Sequence, residues 1–166
     1  MVARVRRAIV VVVSTRAAAG TTRDLTGPVI AAWLAQRGFV ADEPVVVPDG
    51  GAVTDALGAA LAAAPDVIVT TGGTGVSPDD RTPEQVAPLL DVQLPGLIEE
   101  IRRRGAQTVP TALLTRGVAG FIGDAFVITL PGSPGGVRDG LDVLDPVLEH
   151  VLAQRSGSAA GAHRER

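Results

Sequence analysis

The sequence predicts a three-layer α/β fold, a sandwich in which a mostly parallel sheet carries helices on both faces and a small hairpin arm. Short β-branched runs, such as Ala8–Val13 and Val67–Val69, have the length and composition of strands buried on both faces. Segments with the apolar spacing of helices separate these runs. Strands that alternate with helices are typical of a parallel sheet, because parallel neighbours need a crossover connection.

Apolar spacing, glycines and prolines predict the element boundaries in the first half of the chain. Because proline is tolerated only in the first turn of a helix, Pro28 indicates that the first helix cannot begin much before Asp24. The predicted elements are a strand at Arg4–Ser14, a loop at Ser14–Gly20, a helix at Asp24–Arg37, a strand at Phe39–Val47, a turn at Pro48–Gly51 and a helix at Ala52–Ala64.

The second half continues the alternation after the run at Val67–Val69. The predicted elements are a short helix with Thr82 as N-cap and Pro83 in its first turn, a helix at Leu94–Arg104 stopped by Gly105, hairpin segments at Leu113–Gly120 and Ala125–Leu130 around a turn at Phe121–Asp124, a helix after Ser133 that Asp145 and Pro146 interrupt, and its continuation at Val147–Leu152. Residues 155–166 are small, polar and aperiodic, so we expect a single domain over residues 1–154 and a disordered tail.

Composition excludes several functional classes. A formal net charge of −3 over 166 residues argues against a general nucleic-acid binder. The chain has no cysteine, which excludes disulfides and thiolate catalysis and fits a cytoplasmic location. All 15 basic residues are arginines, so neither a Schiff-base lysine nor a P-loop lysine exists. No apolar run reaches the ~18 residues of a membrane span, and we expect no membrane association.

The segment directly after Val67–Val69 is the strongest candidate for a ligand site. It consists of Thr71, Gly72, Gly73, Thr74 and Gly75. Glycines let a ligand approach the backbone, and successive N–H groups together with threonine hydroxyls suit anionic oxygens. Asp79 and Asp80 follow, and carboxylates beside an anion site make sense if a divalent cation lies between them. The plainer alternative is a tight turn followed by a solvated acidic loop.

Other candidates lie in loops that a parallel sheet would gather at its carboxyl edge, where ligands of such folds bind. These loops are Ser14–Asp24, Pro48–Gly51, Thr71–Thr82 and Pro131–Gly136. The residues alone therefore indicate a small α/β protein that binds a phosphorylated ligand, with Asp49 and Asp80 holding a divalent cation.

Each candidate also has a purely structural alternative. Asp49 could initiate the turn into the next helix, and Asp80 could cap the short helix at Thr82. Ser133 is a good N-cap, although an exposed N-cap at a strand end is also an anion site. Asp24 could serve only to start its helix.

Several motifs together resemble the molybdopterin-binding domain of the MogA and MoaB proteins, plant Cnx and gephyrin G domains. The matching segments over about residues 5–153 are Thr71–Gly75, Asp80–Pro83, Leu130–Gly135, Ser14–Gly20 with Asp24, Pro48–Asp49, Pro95–Gly96 and Leu114–Gly120. The chain most resembles the MogA branch, the molybdopterin adenylyltransferases. One difference is Thr15, where many members carry Asp.

The resemblance implies that AMP is transferred from ATP, with Mg²⁺, to the terminal phosphate of molybdopterin. It also implies that Asp49 and Asp80 are the catalytic, metal-holding residues. The substrate-binding residues would be Thr71, Gly72, Gly73, Thr74, Gly75, Gly132, Ser133, Pro134 and Asp24. Members of this family usually form trimers, and a MoeA-type molybdenum insertase would be a possible partner.

Two other functions fit the same resemblance. One is a MoaB-like protein that binds molybdopterin without catalysis. The other is a nucleotide-cleaving domain similar to that of the CinA proteins, which usually carry a second domain.

Overall fold

A seven-stranded sheet forms the middle layer of the computed structural model, which describes residues 4–157. The strands are β1 (Arg6–Val13), β2 (Phe39–Ala41), β3 (Val45–Val47), β4 (Val67–Thr71), β5 (Val92–Gln93), β6 (Ala119–Ile122) and β7 (Ala125–Leu130). Their order is β2-β1-β4-β7-β6-β5, and β3 also pairs with β1. The pairs among β1, β2, β3, β4 and β7 are parallel, whereas β5–β6 and β6–β7 are antiparallel.

Helices cover both faces of this sheet, as the sequence predicts. They are α1 (Thr15–Ala18), α2 (Gly27–Gln36), α3 (Gly51–Ala62), α4 (Thr82–Val86), α5 (Pro95–Ala106), α6 (Pro134–Leu144) and α7 (Leu148–Arg155). Short 3₁₀ turns at Ala87–Leu89 and Pro110–Leu114 lie between them. The three-layer fold with a hairpin arm is confirmed, and the antiparallel β6–β7 pair is that arm.

Side chains that alternate along the central strands build two separate cores. Val10 and Val12 of β1 face a cluster that contains Ile30 and Leu34 of α2 together with residues of α5, α6 and α7. Val11 and Val13 face the opposite cluster, which includes Val53 and Leu57 of α3 and Val86 of α4. This two-sided burial explains why β1, β4 and β7 are continuous apolar runs rather than alternating ones. Each fully buried Leu or Ile contributes roughly 1.5–3 kcal/mol.

The second predicted strand, Phe39–Val47, is divided in two. Both β2 and β3 pair with β1, but Asp42–Pro44 between them is not in a strand. Pro44 cannot donate a backbone hydrogen bond, which interrupts the ladder at this edge of the sheet.

Several other boundaries differ from the prediction. Thr82 is not the N-cap of α4, because Arg81 precedes the first turn and Thr82 lies inside it. Gly105 does not stop α5, which continues to Ala106. The predicted loop after Ser14 contains the single helical turn α1, and the short strand β5 was not predicted. Leu113 and Leu114 belong to a 3₁₀ turn, and the tip of the hairpin is confined to Gly123 and Asp124.

The C-terminal helix extends slightly beyond the predicted domain boundary. Arg155 ends α7, and its Nε and Nη2 donate to the carbonyl of Gly123 at 3.0 and 2.8 Å. The rest of the predicted tail from residue 158 onward lies outside the described residues. Across residues 4–157, no helix combines the length and apolar character needed to cross a membrane.

Candidate active site

The predicted loops meet at the carboxyl edge of the sheet. After β1 the chain crosses to β2 on one side, and after β4 it crosses to the other side, where β7, β6 and β5 lie. This is the topological switch point, at which open α/β sheets bind ligands. We call residues 72–81 the β4 loop and residues 131–136 the β7 loop. The two loops are joined at their bases, because Gly72 N donates to Leu130 O at 3.1 Å and Thr71 Oγ1 donates to Pro131 O at 2.7 Å.

Two glycines let the β4 loop turn tightly against its neighbours. Gly72 and Gly73 have φ angles of +94° and +66°, which L side chains rarely adopt. A Cβ at Gly72 would also collide with the carbonyl of Val13 on β1. Gly132 approaches so closely that a Cβ there would be 3.2 Å from the Cα of Gly72. The backbones of the two loops therefore face each other without side chains between them.

Asp49 lies on one side of the β4 loop and is held by a hydroxyl group. Thr15 Oγ1 donates to Asp49 Oδ2 at 2.9 Å and accepts from Asp49 N at 3.1 Å. The other carboxylate oxygen, Oδ1, lies 3.2 Å from the position that a Cβ on Gly73 would occupy. No side chain caps the N-terminus of α3, so Asp49 does not serve as the cap of that helix.

Asp80 lies at the other end of the same loop. Its Oδ2 accepts from Ser77 N at 3.0 Å, while its own N donates to Ser77 O at 2.9 Å. A Cβ on Gly75 would be 2.7 Å from this carboxylate oxygen, so a side chain there would displace the Asp80 carboxylate. Asp80 does not cap α4, whose N-terminus receives no side-chain hydrogen bond.

A cavity of about 590 Å³ opens between the two loops and the C-terminal part of α5. The predicted site residues that line it are Gly72, Gly73, Thr74, Gly75, Asp80, Gly132 and Ser133. Thr71 is buried beneath it and ties the loops together. Asp49 is not part of the lining, although its carboxylate reaches the opposite side of Gly73.

Two further predicted residues, Asp24 and Pro134, are not part of this lining. Asp24 Oδ1 accepts from the backbone N of Thr26 and of Gly27, both at 3.0 Å, so its carboxylate starts α2. Pro134 borders a second cavity of about 490 Å³, lined chiefly by α2 and α6. The binding role of both residues stays a prediction.

Ser133 caps α6, as its sequence position predicts. Its Oγ accepts from Gly136 N at 3.0 Å, and Pro134 occupies the first turn. Because both the serine and the preceding Gly132 line the cavity, the positive end of this helix dipole opens toward the cavity.

The donor set is compatible with a hydrated divalent cation near Asp49. Asp49 Oδ1 accepts no hydrogen bond from the described residues, and the buried hydroxyl of Thr82 has no partner among them. Both atoms adjoin the space that a side chain on Gly73 would fill. In residues 4–157, no group of three or more His, Cys, Asp or Glu side chains forms a preassembled metal centre. Water and ligand phosphates would complete the shell, as is usual for Mg²⁺.

Two site residues were missed by sequence reasoning. Thr15 positions Asp49, and Arg116 contacts the β4 loop at several points. Arg116 lies within the motif Leu114–Gly120, which carried part of the resemblance but no assigned role. Its side-chain partners are 32 to 41 residues away in the chain, so local patterns do not reveal them.

Comparison with known proteins identifies the family. The family model described as "Probable molybdopterin binding domain" matches residues 9–150. The chain belongs to this family. The chain is 38% identical, over 93% of its length, to the "Molybdenum cofactor biosynthesis bifunctional protein" of Synechococcus elongatus, and it spans only 49% of that protein.

Two further similarities cover nearly whole chains. The "Molybdopterin adenylyltransferase" of Pyrococcus furiosus is 36% identical, with 86% of this chain and 87% of that protein covered. The solved structure of the molybdopterin biosynthesis Mog protein from Mycobacterium ulcerans is 52% identical and superposes with a TM-score of 0.88, covering 93% of this chain and 99% of the other. The predicted family is thus confirmed.

Proposed function

We propose that this chain transfers the adenylyl group of ATP to the terminal phosphate of molybdopterin, as a step of molybdenum cofactor biosynthesis. The observation that carries the proposal is the β4 loop, whose glycine backbone lines a cavity and lies between the carboxylate of Asp49, near Gly73, and that of Asp80, near Gly75. The similarity to a protein named molybdopterin adenylyltransferase supports the same reaction.

The reaction requires positioning and charge neutralisation more than acid–base catalysis. A phosphate oxygen of molybdopterin forms a bond to the α-phosphorus of ATP, the bond from that phosphorus to the bridging oxygen breaks, and pyrophosphate leaves. The attacking phosphate is already ionised at neutral pH, so no general base is needed. The protein contributes oriented N–H groups, a fixed geometry and exclusion of water.

Each loop has its own part in this proposal. Backbone N–H groups of Gly73 and Gly75 and the hydroxyl of Thr74 would bind phosphate oxygens, while Gly72, whose N–H donates to Leu130 O, would let the ligand approach the backbone. Gly132 and Ser133, at the start of α6, would bind the second ligand through the helix N-terminus. Asp49 and Asp80 would hold Mg²⁺, which supplies neutralisation of phosphate charge when it is bound.

The test is adenylyl transfer by the purified chain. We expect adenylyl-molybdopterin and pyrophosphate to form in equal amounts from ATP and molybdopterin, and formation to stop when EDTA removes Mg²⁺. Molybdopterin binding without pyrophosphate release would contradict the proposal and favour a MoaB-like binding protein. Cleavage of ADP-ribose without transfer would instead favour a CinA-like activity.

Assembly and location are further parts of this proposal. We propose a homotrimer in the cytoplasm that passes its product to a MoeA-type molybdenum insertase. Sedimentation at micromolar protein concentration tests the trimer, and a stable monomer would contradict it. Pull-down with a purified insertase, with and without bound product, tests the partner.

A further inference from the structure

Arg116 joins three points of the segment that carries Asp80. Its Nε donates to Gly75 O at 2.8 Å, its Nη2 donates to Asp80 O at 2.6 Å, and its Nη1 pairs with the carboxylate of Glu84. Its backbone N also donates to Thr74 O at 2.8 Å. One side chain therefore spans the β4 loop from its glycines to the start of α4.

The geometry of a guanidinium matters for this span. Its planar fork presents several donors in fixed directions, so the carbonyls of Gly75 and Asp80 are held at a fixed separation. Between them, Val76–Asp79 is exposed and has only the Ser77–Asp80 turn to order it. Asp80 would otherwise share the mobility of an exposed loop.

Arg116 is not itself arranged to bind an anion in the cavity. Its charge is paired with Glu84, and it is absent from the residues that line the cavity. The ion pair is also partly exposed, with side-chain exposures of 37% and 39%, so it stabilises the fold little. Neither anion binding nor the ion pair therefore accounts for the two hydrogen bonds that Arg116 donates to the carbonyls of Gly75 and Asp80.

Other contacts hold the backbone around Arg116 without its side chain. Thr115 Oγ1 and Thr74 Oγ1 form a buried hydrogen bond of 2.9 Å, and Arg102 Nε donates to Thr115 O at 2.7 Å. The connection into β6 should therefore survive a substitution that removes only the guanidinium of Arg116.

We infer that Arg116 is a positioning residue that sets the direction in which Asp80 faces the cavity. The expected effect of Arg116 on adenylyl transfer rests on the proposed function. Its expected effect on the order of the β4 loop does not. Groups that orient a metal-holding carboxylate commonly affect metal affinity or activity by 10–100-fold.

The experiment compares Arg116→Ala and Arg116→Lys with Arg103→Ala as the matched control. Arg103 also forms an exposed ion pair, with Glu100, but lies on the surface of α5. We expect both Arg116 variants to raise the Mg²⁺ concentration for half-maximal transfer by about tenfold and to lower kcat by about 10–100-fold, with KM for molybdopterin changed less than about threefold. The control should match the unsubstituted chain.

Amide hydrogen exchange supplies a readout that needs no activity. In both Arg116 variants, residues 75–80 should exchange faster while the strands keep their protection. Exchange and Mg²⁺ dependence equal to the unsubstituted chain would overturn the inference, as would complete rescue by lysine, since charge alone would then suffice. Uniformly faster exchange would also overturn it by showing a global structural role. If no transfer occurs in the unsubstituted chain, the proposed function fails, and the exchange experiment still decides the role of Arg116.

Discussion

The β4 and β7 loops leave neighbouring parallel strands at the same edge of the sheet, yet they are built differently. The β4 loop is long and held from outside by distant side chains, as Arg116 and Thr115 contact its backbone and hydroxyls. The β7 loop is short and held by its own serine cap and by Thr71. The difference indicates that the β4 loop holds its own carboxylate, Asp80, in place, whereas the β7 loop presents backbone at a helix N-terminus.

The largest effect should come from removing a charge beside the β4 loop. Asp49→Asn and Asp80→Asn keep the size and one oxygen, but they remove the negative charge that Mg²⁺ requires. Loss of such an electrostatic contributor typically costs ~10²–10³ in rate. We expect folded variants that still bind molybdopterin, while transfer falls by that order.

Transfer and molybdopterin binding should be measured on the same purified protein. Near-normal turnover in both variants would remove the metal-holding role. The comparison between the loops would then rest on backbone contacts alone.

A side chain on the β4 loop should have the next largest effect. Gly73→Ala must take a φ of +66° and place its Cβ against Thr82 Oγ1. Strain of this kind costs of order 1–3 kcal/mol, and we expect transfer to fall at least tenfold because the loop must move.

Gly58→Ala is the matched control, since its Cβ would meet nothing within 4 Å on helix α3. This substitution should stabilise the protein by roughly 0.5–1 kcal/mol in urea unfolding. Equal activity and stability of the two alanine variants would contradict the tight packing of the β4 loop.

The β7 loop should respond more mildly. Ser133→Ala removes the hydrogen bond to Gly136 N and should cost about 1 kcal/mol of unfolding free energy, with a modest loss of ligand affinity. Ser133→Asp keeps a cap but adds a negative charge, so it should retain stability while weakening binding of a phosphorylated ligand. Calorimetric titration of both variants with molybdopterin separates capping from binding, and unchanged affinity in Ser133→Asp would argue against an anion at this loop.

The smallest effect is expected outside both loops. The hydrogen bond from Arg103, and to a smaller extent that from Arg104, lowers the pKa of Glu100 from its ordinary 4.5 to about 2. A depressed carboxylate pKa stabilises the fold above pH 4.5, and that contribution is lost as the pH falls toward 2. Because the carboxylate is partly exposed and solvent screens its ion pairs, Glu100→Gln should leave transfer and melting temperature at pH 7 unchanged within error. An NMR titration of Glu100 checks the pKa, and reduced transfer in the variant would show that α5 contributes more to the site than its packing suggests.

Local patterns were enough for the features that depend on neighbours in the chain. The buried runs of β1, β4 and β7 follow from their β-branched residues, and the cap at Ser133 joins residues three apart. The meeting of the loops at one edge follows from the general rule for parallel sheets. The glycines of the β4 loop are visible in the sequence as a motif. Their close approach to the carboxylates of Asp49 and Asp80 is seen only in the structure.

The sequence by itself thus determined the alternation of elements, the family and the edge of the sheet that carries the site. Only the tertiary structure decided that Asp49 accepts a hydrogen bond from Thr15 and that the backbone carbonyl of Asp80 accepts one from Arg116. It also divided the predicted second strand into β2 and β3. The physical reason is one of range, because periodicity and capping act over a few residues, whereas the hydrogen bonds of Thr15 and Arg116 join groups more than thirty residues apart through packing of the whole sheet.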